Sequence, residues 1–166
     1  VDPVRTAHSA DGPRAKYVNA GGAGGGFFEQ LVLDIRDGDW LNYTHTFPVT
    51  NYNVVLRQST YALPQSQGSL QKVTGDTTTT GQTTALLGSF LQLGDAAGDT
   101  GNDRMRNVPL TDAIGNPLTL RLGGLETLRV SADYVRGTDG NGEIFQNYLV
   151  FIPVPEPGTL RPVVVQ

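Results

Sequence analysis

The chain has 166 residues, a formal net charge of −4 and no cysteine. Its length fits one domain with its own buried core. Lys16 and Lys72 are its two lysines and its arginines are scattered, which excludes the basic surface that a nucleic acid or an anionic membrane would require. The missing cysteines exclude disulfides, thiolate metal sites and thiol nucleophiles.

The composition predicts an all-β protein. Glycine contributes 21 residues, and Thr and Asn are abundant. This mixture suits tight turns between short strands and disfavours helices. No stretch repeats apolar residues with a helical period, and no apolar run approaches the ~18 residues that span a bilayer.

The predicted elements begin with an arm. Segment 1–26 is rich in Pro, Gly and small residues and is expected to be extended, with one short strand at Ala15–Asn19. From Trp40 to Phe47 polar and apolar residues alternate, with Tyr43 and His45 on the same face as Phe47. Pro48 is expected to end this strand, because proline lacks an amide donor. The other predicted strands are Glu29–Arg36, Asn51–Ser59, Ser69–Thr74, Thr84–Leu91, Val108–Leu110, Leu118–Leu122, Leu125–Val135 and Ile144–Pro153.

Turn-rich segments separate these strands at short, regular intervals, which is typical of an antiparallel β-sandwich of the jelly-roll type. We expect the sandwich to occupy residues 27–153, with the arm 1–26 before it and a Pro-rich tail, 154–166, after it. Val163, Val164 and Val165 form a β-branched run in that tail. Such a run is expected to pair with an edge of its own sheet or with an edge of a neighbouring copy.

The strand pair beginning at Gly38-Asp39-Trp40 carries a family resemblance. Gly38–Thr44, then Phe47-Pro48, then Asn51–Arg57 resembles the signature of carbohydrate-binding modules of families six and thirty-five. Leu125–Val130 and Phe145–Phe151 are similar to later strands of the same modules, so the resemblance covers about residues 31–153.

The resemblance implies a jelly roll that binds polysaccharide without catalysis, and it raises the expectation of a structural Ca²⁺. In sugar-binding members an aromatic residue precedes the tryptophan by four to six positions, where this chain has Asp34, Ile35 and Arg36. An asparagine opens their closing strand, where this chain has Phe145. Sugar rings stack on exposed aromatic side chains, and the candidate ligand-binding residues are therefore Phe28, Tyr61, Trp40 and Asn147. For Trp40, packing against the sheet is the competing interpretation.

Asp139, Asn141 and Glu143 place oxygen ligands at alternate positions, as in a fragment of a calcium loop, although a plain hairpin turn has the same pattern. No catalytic motif is present, so an enzyme is not expected and no catalytic residue is assigned. Two functions remain open: a polysaccharide-binding module, or a subunit of an extracellular filament or surface assembly joined through its terminal arms. Either one predicts a secreted or cell-surface protein, of bacterial origin, whose partners are polysaccharide or copies of itself.

Overall fold

The computed structural model describes residues 7–8, 14–19, 28–35, 37–59, 65–79, 81–93, 105–136 and 144–155. These residues form an all-β fold without a helix, and none of them belongs to a helix long and apolar enough to cross a membrane. The strands are β1 Ala7–His8, β2 Arg14–Asn19, β3 Phe28–Ile35, β4 Trp40–Ser59, β5 Gln65–Val73, β6 Thr84–Leu93, β7 Arg106–Pro109, β8 Thr119–Arg136 and β9 Ile144–Val154.

All strand pairs are antiparallel and follow the order β2-β3-β9-β4-β8-β5-β6, with β1 and β7 also pairing with β4. β4 has two main neighbours: β8 pairs with it between Trp40 and Asn53, and β9 pairs with it between Asn51 and Ser59. The sheet thus curls on itself into the predicted jelly roll. The described part of segment 1–26 is likewise joined to the sheet, because β1 pairs with β4 and β2 pairs with β3.

The core lies between the two layers. Alternation along each strand points every second side chain inward. Leu70 and Phe90 are completely buried in this core. The buried cluster takes residues from β4 to β8 and the segment after β7, and comprises Phe47, Tyr52, Val54, Leu56, Leu70, Phe90, Val108, Leu110, Leu122, Leu128 and Val130.

The prediction that Pro48 ends a strand is wrong, because β4 continues through it to Ser59. The ladder between β4 and β8 shifts here, so that two residues of β4, Pro48 and Val49, face Gly123 of β8. Pro48 therefore sits in a bulge, where no ladder donor is needed. The Tyr52 hydroxyl donates a hydrogen bond to the Pro48 carbonyl at 3.0 Å.

β8 bends at the same place, so the prediction of separate strands at Leu118–Leu122 and Leu125–Val135 is also wrong. Gly124 has a φ of +76° and allows the strand to turn without breaking. At Gly123, a Cβ would lie 2.7 Å from Val49 Cγ2, so the two strands approach closely. The other predicted strands are found within a few residues of their expected ends.

Candidate functional site

A groove of about 580 Å³ opens between the first half of β4 and β9. β9 pairs with β4 only from Asn51 onward, so the two strands are separate along the first half of β4. The volume lies within the range of ligand-binding clefts. The lining comes from three strands: Asn42, Tyr43, Thr44, His45 and Phe47 from β4, Leu128 from β8, and Asn147, Tyr148, Leu149 and Phe151 from β9.

The floor of the groove is aromatic and is held by the core. The rings of Phe47 and Phe151 meet edge to face, with centroids 4.9 Å apart. Phe47 is 6% exposed and also contacts the Tyr52 ring at 5.8 Å. On its other side lies the His45 ring, again edge to face at 4.9 Å. These contacts fix the positions of the floor side chains, which makes the groove preformed.

Two tyrosines line the groove and remain open to solvent. Tyr43 is 37% exposed and Tyr148 is 44% exposed. Each presents an apolar ring together with a hydroxyl group. This combination is suited to a ligand that has both apolar C–H faces and hydroxyl groups.

A bulge in β9 positions Asn147 and Tyr148. Leu56 pairs with Leu149 while Gln58 pairs with Gln146, so three steps along β9 match two along β4. The extra residue re-aims the side chains between those two pairs, as bulges near binding sites commonly do.

The amide and hydroxyl side chains of the groove carry no formal charge at neutral pH. Burial raises the pKa of the Tyr43 phenol above its ordinary value of 10.0, so it stays a neutral O–H group. Asn147 can both donate and accept hydrogen bonds. An ion pair joins Lys72 to Glu126 at 2.6 Å, and Glu126 lies opposite His45 in the ladder. The charges of Lys72 and Glu126 therefore neutralise each other.

The predicted site residues are divided among different places. Asn147 lines the groove, whereas Trp40 lies on the opposite face of the sheet with the Arg129 guanidinium 3.7 Å from its ring centroid. Phe28 begins β3, so its backbone is described and its side chain lies outside the described residues. The other candidates fall outside the described residues altogether: Tyr61, Asp139, Asn141, Glu143, Val163, Val164 and Val165. Within the described ranges, no three acidic or histidine side chains come together as a metal site.

Sequence reasoning missed Tyr43, His45 and Tyr148 as groove residues. The shared face of Tyr43, His45 and Phe47 was visible in the alternation, but that pattern by itself indicates a core face. The missing signal was that β9 pairs with β4 only from Asn51 onward, so that a groove opens beside Tyr43 and His45.

Comparison with known proteins finds no matching family model and no matching curated sequence. Among solved structures, the chain is similar to a family 6 carbohydrate-binding module from Clostridium stercorarium, solved with cellobiose. The TM-score is 0.58 at 14% identity, over 90% of this chain and 87% of that one. A β-1,3-glucan-binding family 6 module from Bacillus halodurans gives 0.56 at 14%, over 84% and 85%. A module of Cellvibrio mixtus lichenase 5A, solved with cellotriose, gives 0.56 at 14%, over 92% and 95%.

This chain has the fold of a family 6 carbohydrate-binding module. At 14% identity the similarity concerns the fold alone. On this family 6 fold, Ile35 lies among the positions where the resemblance places an aromatic platform, and it is 4% exposed and packed with Ala132. The exposed aromatic side chains of the described residues are instead Tyr43 and Tyr148.

Proposed function

We propose that the protein is a non-catalytic module that binds a neutral polysaccharide in the groove between β4 and β9. The observation that carries the proposal is the pair of exposed rings, Tyr43 and Tyr148, beside a floor formed by Phe47 and Phe151. Stacking of sugar C–H faces on tyrosine rings supplies affinity, and hydroxyl and amide groups supply orientation.

The chemistry of the groove favours a neutral sugar. No Asp, Glu, Lys or Arg lines it within the described residues, so an anionic or cationic ligand would lose its hydration without gaining a charged partner. Asn147 and the Tyr43 hydroxyl can each exchange hydrogen bonds with sugar hydroxyl groups. Of the three structures of similar fold, one was solved with cellobiose, one was solved with cellotriose, and one binds β-1,3-glucan. This supports neutral glucans as the first ligands to test.

A non-catalytic role and an extracellular location belong to the same proposal. The groove lacks the pair of carboxyl groups that hydrolyse glycosidic bonds, as far as the described residues extend. A polysaccharide ligand would be met outside the cell, so we expect a secreted or surface-exposed bacterial module.

Tyr148→Ala tests the groove. Calorimetric titration with cello-oligosaccharides and β-1,3-gluco-oligosaccharides should show binding to the natural chain and at least about tenfold weaker binding to this variant, because truncation removes a stacking ring. Ile152→Ala is the matched control: Ile152 is 48% exposed on the same strand, outside the groove, and its loss should leave affinity unchanged. Equal binding by both variants, or no binding of any neutral glycan by the natural chain, would overturn the proposal.

A second candidate, self-assembly, is favoured by the edge strand β6. β6 ends the strand order, and Thr111 pairs with it at Ser89. Beyond this bridge β6 exposes Leu91 (46%) and Leu93 (61%) on the same side. Ile114, 84% exposed, protrudes from a turn that borders the same edge. Exposed apolar edges invite an added strand, and the Val163-Val164-Val165 run of another copy would supply one.

A further inference from the structure

The face of the sheet opposite the groove carries an arginine held in one orientation. Trp40 and Asn42 alternate with Tyr43 along β4, so their side chains project from the other face. Asn42 also borders the groove. Arg129 of β8 lies directly opposite Asn42 in the ladder. Its guanidinium stacks over the Trp40 ring at 3.7 Å from the centroid. A cation–π contact of this kind fixes the plane of the guanidinium.

Two amide side chains fix its rotation within that plane. Arg129 Nε donates to Asn42 Oδ1 at 3.0 Å, and Arg129 Nη2 donates to Gln82 Oε1. Asn42 Nδ2 also donates to Gln82 Oε1 at 2.8 Å, which closes the network. Gln82 is itself held by the bond from its Nε2 to the Thr77 carbonyl at 3.0 Å. The guanidinium is therefore positioned by neutral partners on one of its edges.

The adjacent edge of the guanidinium, between Nη1 and Nη2, keeps its donors. An arginine has five N–H groups, and the bonds to Asn42 and Gln82 use two of them. Both lie on the Nε–Nη2 edge, so the parallel N–H pair of the Nη1–Nη2 edge is retained. Within the described residues no carboxylate pairs with Arg129, although the side chain is partly buried. Burial lowers its pKa, yet the group stays charged at neutral pH.

The surroundings of Arg129 suit a sugar. Two residues along the strands, about 7 Å away, the hydroxyl groups of Thr44 and Thr127 form a hydrogen bond with their oxygens 2.9 Å apart. The acidic side chain nearest along the same face of β8 is Asp133, four residues further on. A positively charged fork beside hydroxyl groups is complementary to a carboxylate attached to a hydroxyl-rich ring.

We propose that this outer face is a second binding site, in which the Nη1–Nη2 edge of Arg129 holds the carboxylate of an acidic sugar residue. The bidentate geometry distinguishes a planar carboxylate from a hydroxyl group. Trp40, Asn42 and Gln82 act as positioning residues that keep the fork in place. Arg129 and Trp40 do not line the neutral groove, whereas Asn42 and Thr44 border both sites. The two sites differ in that the second one selects by charge.

The test compares a trigalacturonate with its methyl ester on the natural chain by calorimetric titration. We expect the acid to bind at least about tenfold more tightly than the ester, because esterification removes the charge. Arg129→Lys keeps the charge but loses the fork, and it should weaken acid binding by a similar factor. Arg121→Gln, on the same strand with a loss of one charge, is the control and should leave acid binding unchanged.

Tyr148→Ala separates this proposal from the neutral groove, since it should retain the full affinity for trigalacturonate. If the Arg129 variant fails to fold, the acid–ester comparison on the natural chain decides. Equal affinity for acid and ester, or unchanged acid binding by a folded Arg129→Lys, would overturn the proposal. A polyglutamate peptide that binds through Arg129 more tightly than the acidic sugar would overturn the assignment of the ligand.

Discussion

Tyr43 and Phe47 show how position decides the role of an aromatic side chain on one strand. Both lie on the same face of β4 and are separated by His45. Phe47 meets Tyr52 and Phe151 and is buried in the core. Tyr43 lies four residues nearer the start of β4, beside the groove, and its ring is 37% exposed. Their different roles result from what covers the face.

We predict that the Tyr43 phenol makes the folded protein less stable at high pH. Burial raises its pKa in the folded state above 10.0, so the folded protein holds this proton more tightly than the unfolded chain does. Its contribution is fully present below pH 10.0 and is lost as pH rises toward the folded-state pKa. Urea unfolding between pH 8 and 11 should therefore show a steeper decline for the natural chain than for Tyr43→Phe, which has no phenol. Parallel declines would contradict the prediction.

At the scale of elements, the bulges of β4 and β9 shape the site. The first, at Pro48 and Val49, shifts the ladder between β4 and β8 just before the pairing with β9 begins at Asn51. The second lies between Gln146 and Leu149 and brings Asn147 and Tyr148 to the groove. Both are irregularities of pairing between strands distant in sequence. The groove is thus a product of where the ladders shift.

A substitution at Gly88 tests the close packing of β6 against the segment after β7. A Cβ at this position would lie 2.8 Å from Leu118 Cδ1, 2.9 Å from Leu110 Cγ and 2.9 Å from the Thr111 carbonyl oxygen. Gly88→Ala should lower the free energy of unfolding by about 1–3 kcal/mol, because the core must shift to admit the methyl group. The control is Gly81→Ala, where nothing lies within 4 Å and where we expect a change within about 0.5 kcal/mol. Chemical denaturation of both variants checks this, and equal losses would contradict it.

At the scale of the whole molecule, the fold leaves three surfaces with different chemistry. The groove is neutral and aromatic, the outer face presents Arg129, and the β6 edge is apolar around Leu91 and Leu93. The net charge of −4 disfavours long-range attraction of anionic polymers. Binding of an acidic sugar would therefore depend on the short-range contacts of Arg129.

Self-assembly through β6 predicts multimers that depend on two segments. Light scattering over a range of concentrations should give masses above 17.7 kDa for the natural chain. Deletion of residues 159–166, or the pair Leu91→Lys with Leu93→Lys, should reduce the mass to that of the monomer, because each removes one side of the added strand pair. Leu125→Lys, at a site 74% exposed on β8, is the control and should leave the mass unchanged. A monomer at every concentration would remove the assembly candidate.

The strands and the fold class were predictable, because alternation along a strand is local. The alternation from Trp40 to Phe47 was visible in eight consecutive residues. The resemblance that begins at Gly38-Asp39-Trp40 indicated a jelly roll, and the solved structures show the same fold in family 6 modules. The continuity of β4 through Pro48 was not predictable, since it depends on the glycines of β8, more than 70 residues away. Of the candidate ligand-binding residues, Asn147 alone lies in the groove among those whose side chains are described. Phe28, Tyr61 and the proposed calcium loop stay predictions.

By itself, the sequence determined that the chain is an antiparallel β-sandwich without cysteine chemistry or a basic surface, because composition and period-two alternation act locally. The tertiary structure decided which aromatic side chains remain open, because exposure depends on whether a distant strand covers them. It also decided that Arg129 meets Trp40, Asn42 and Gln82, since residues up to 89 positions apart become neighbours only when β4, β8 and the hairpin after β5 come together.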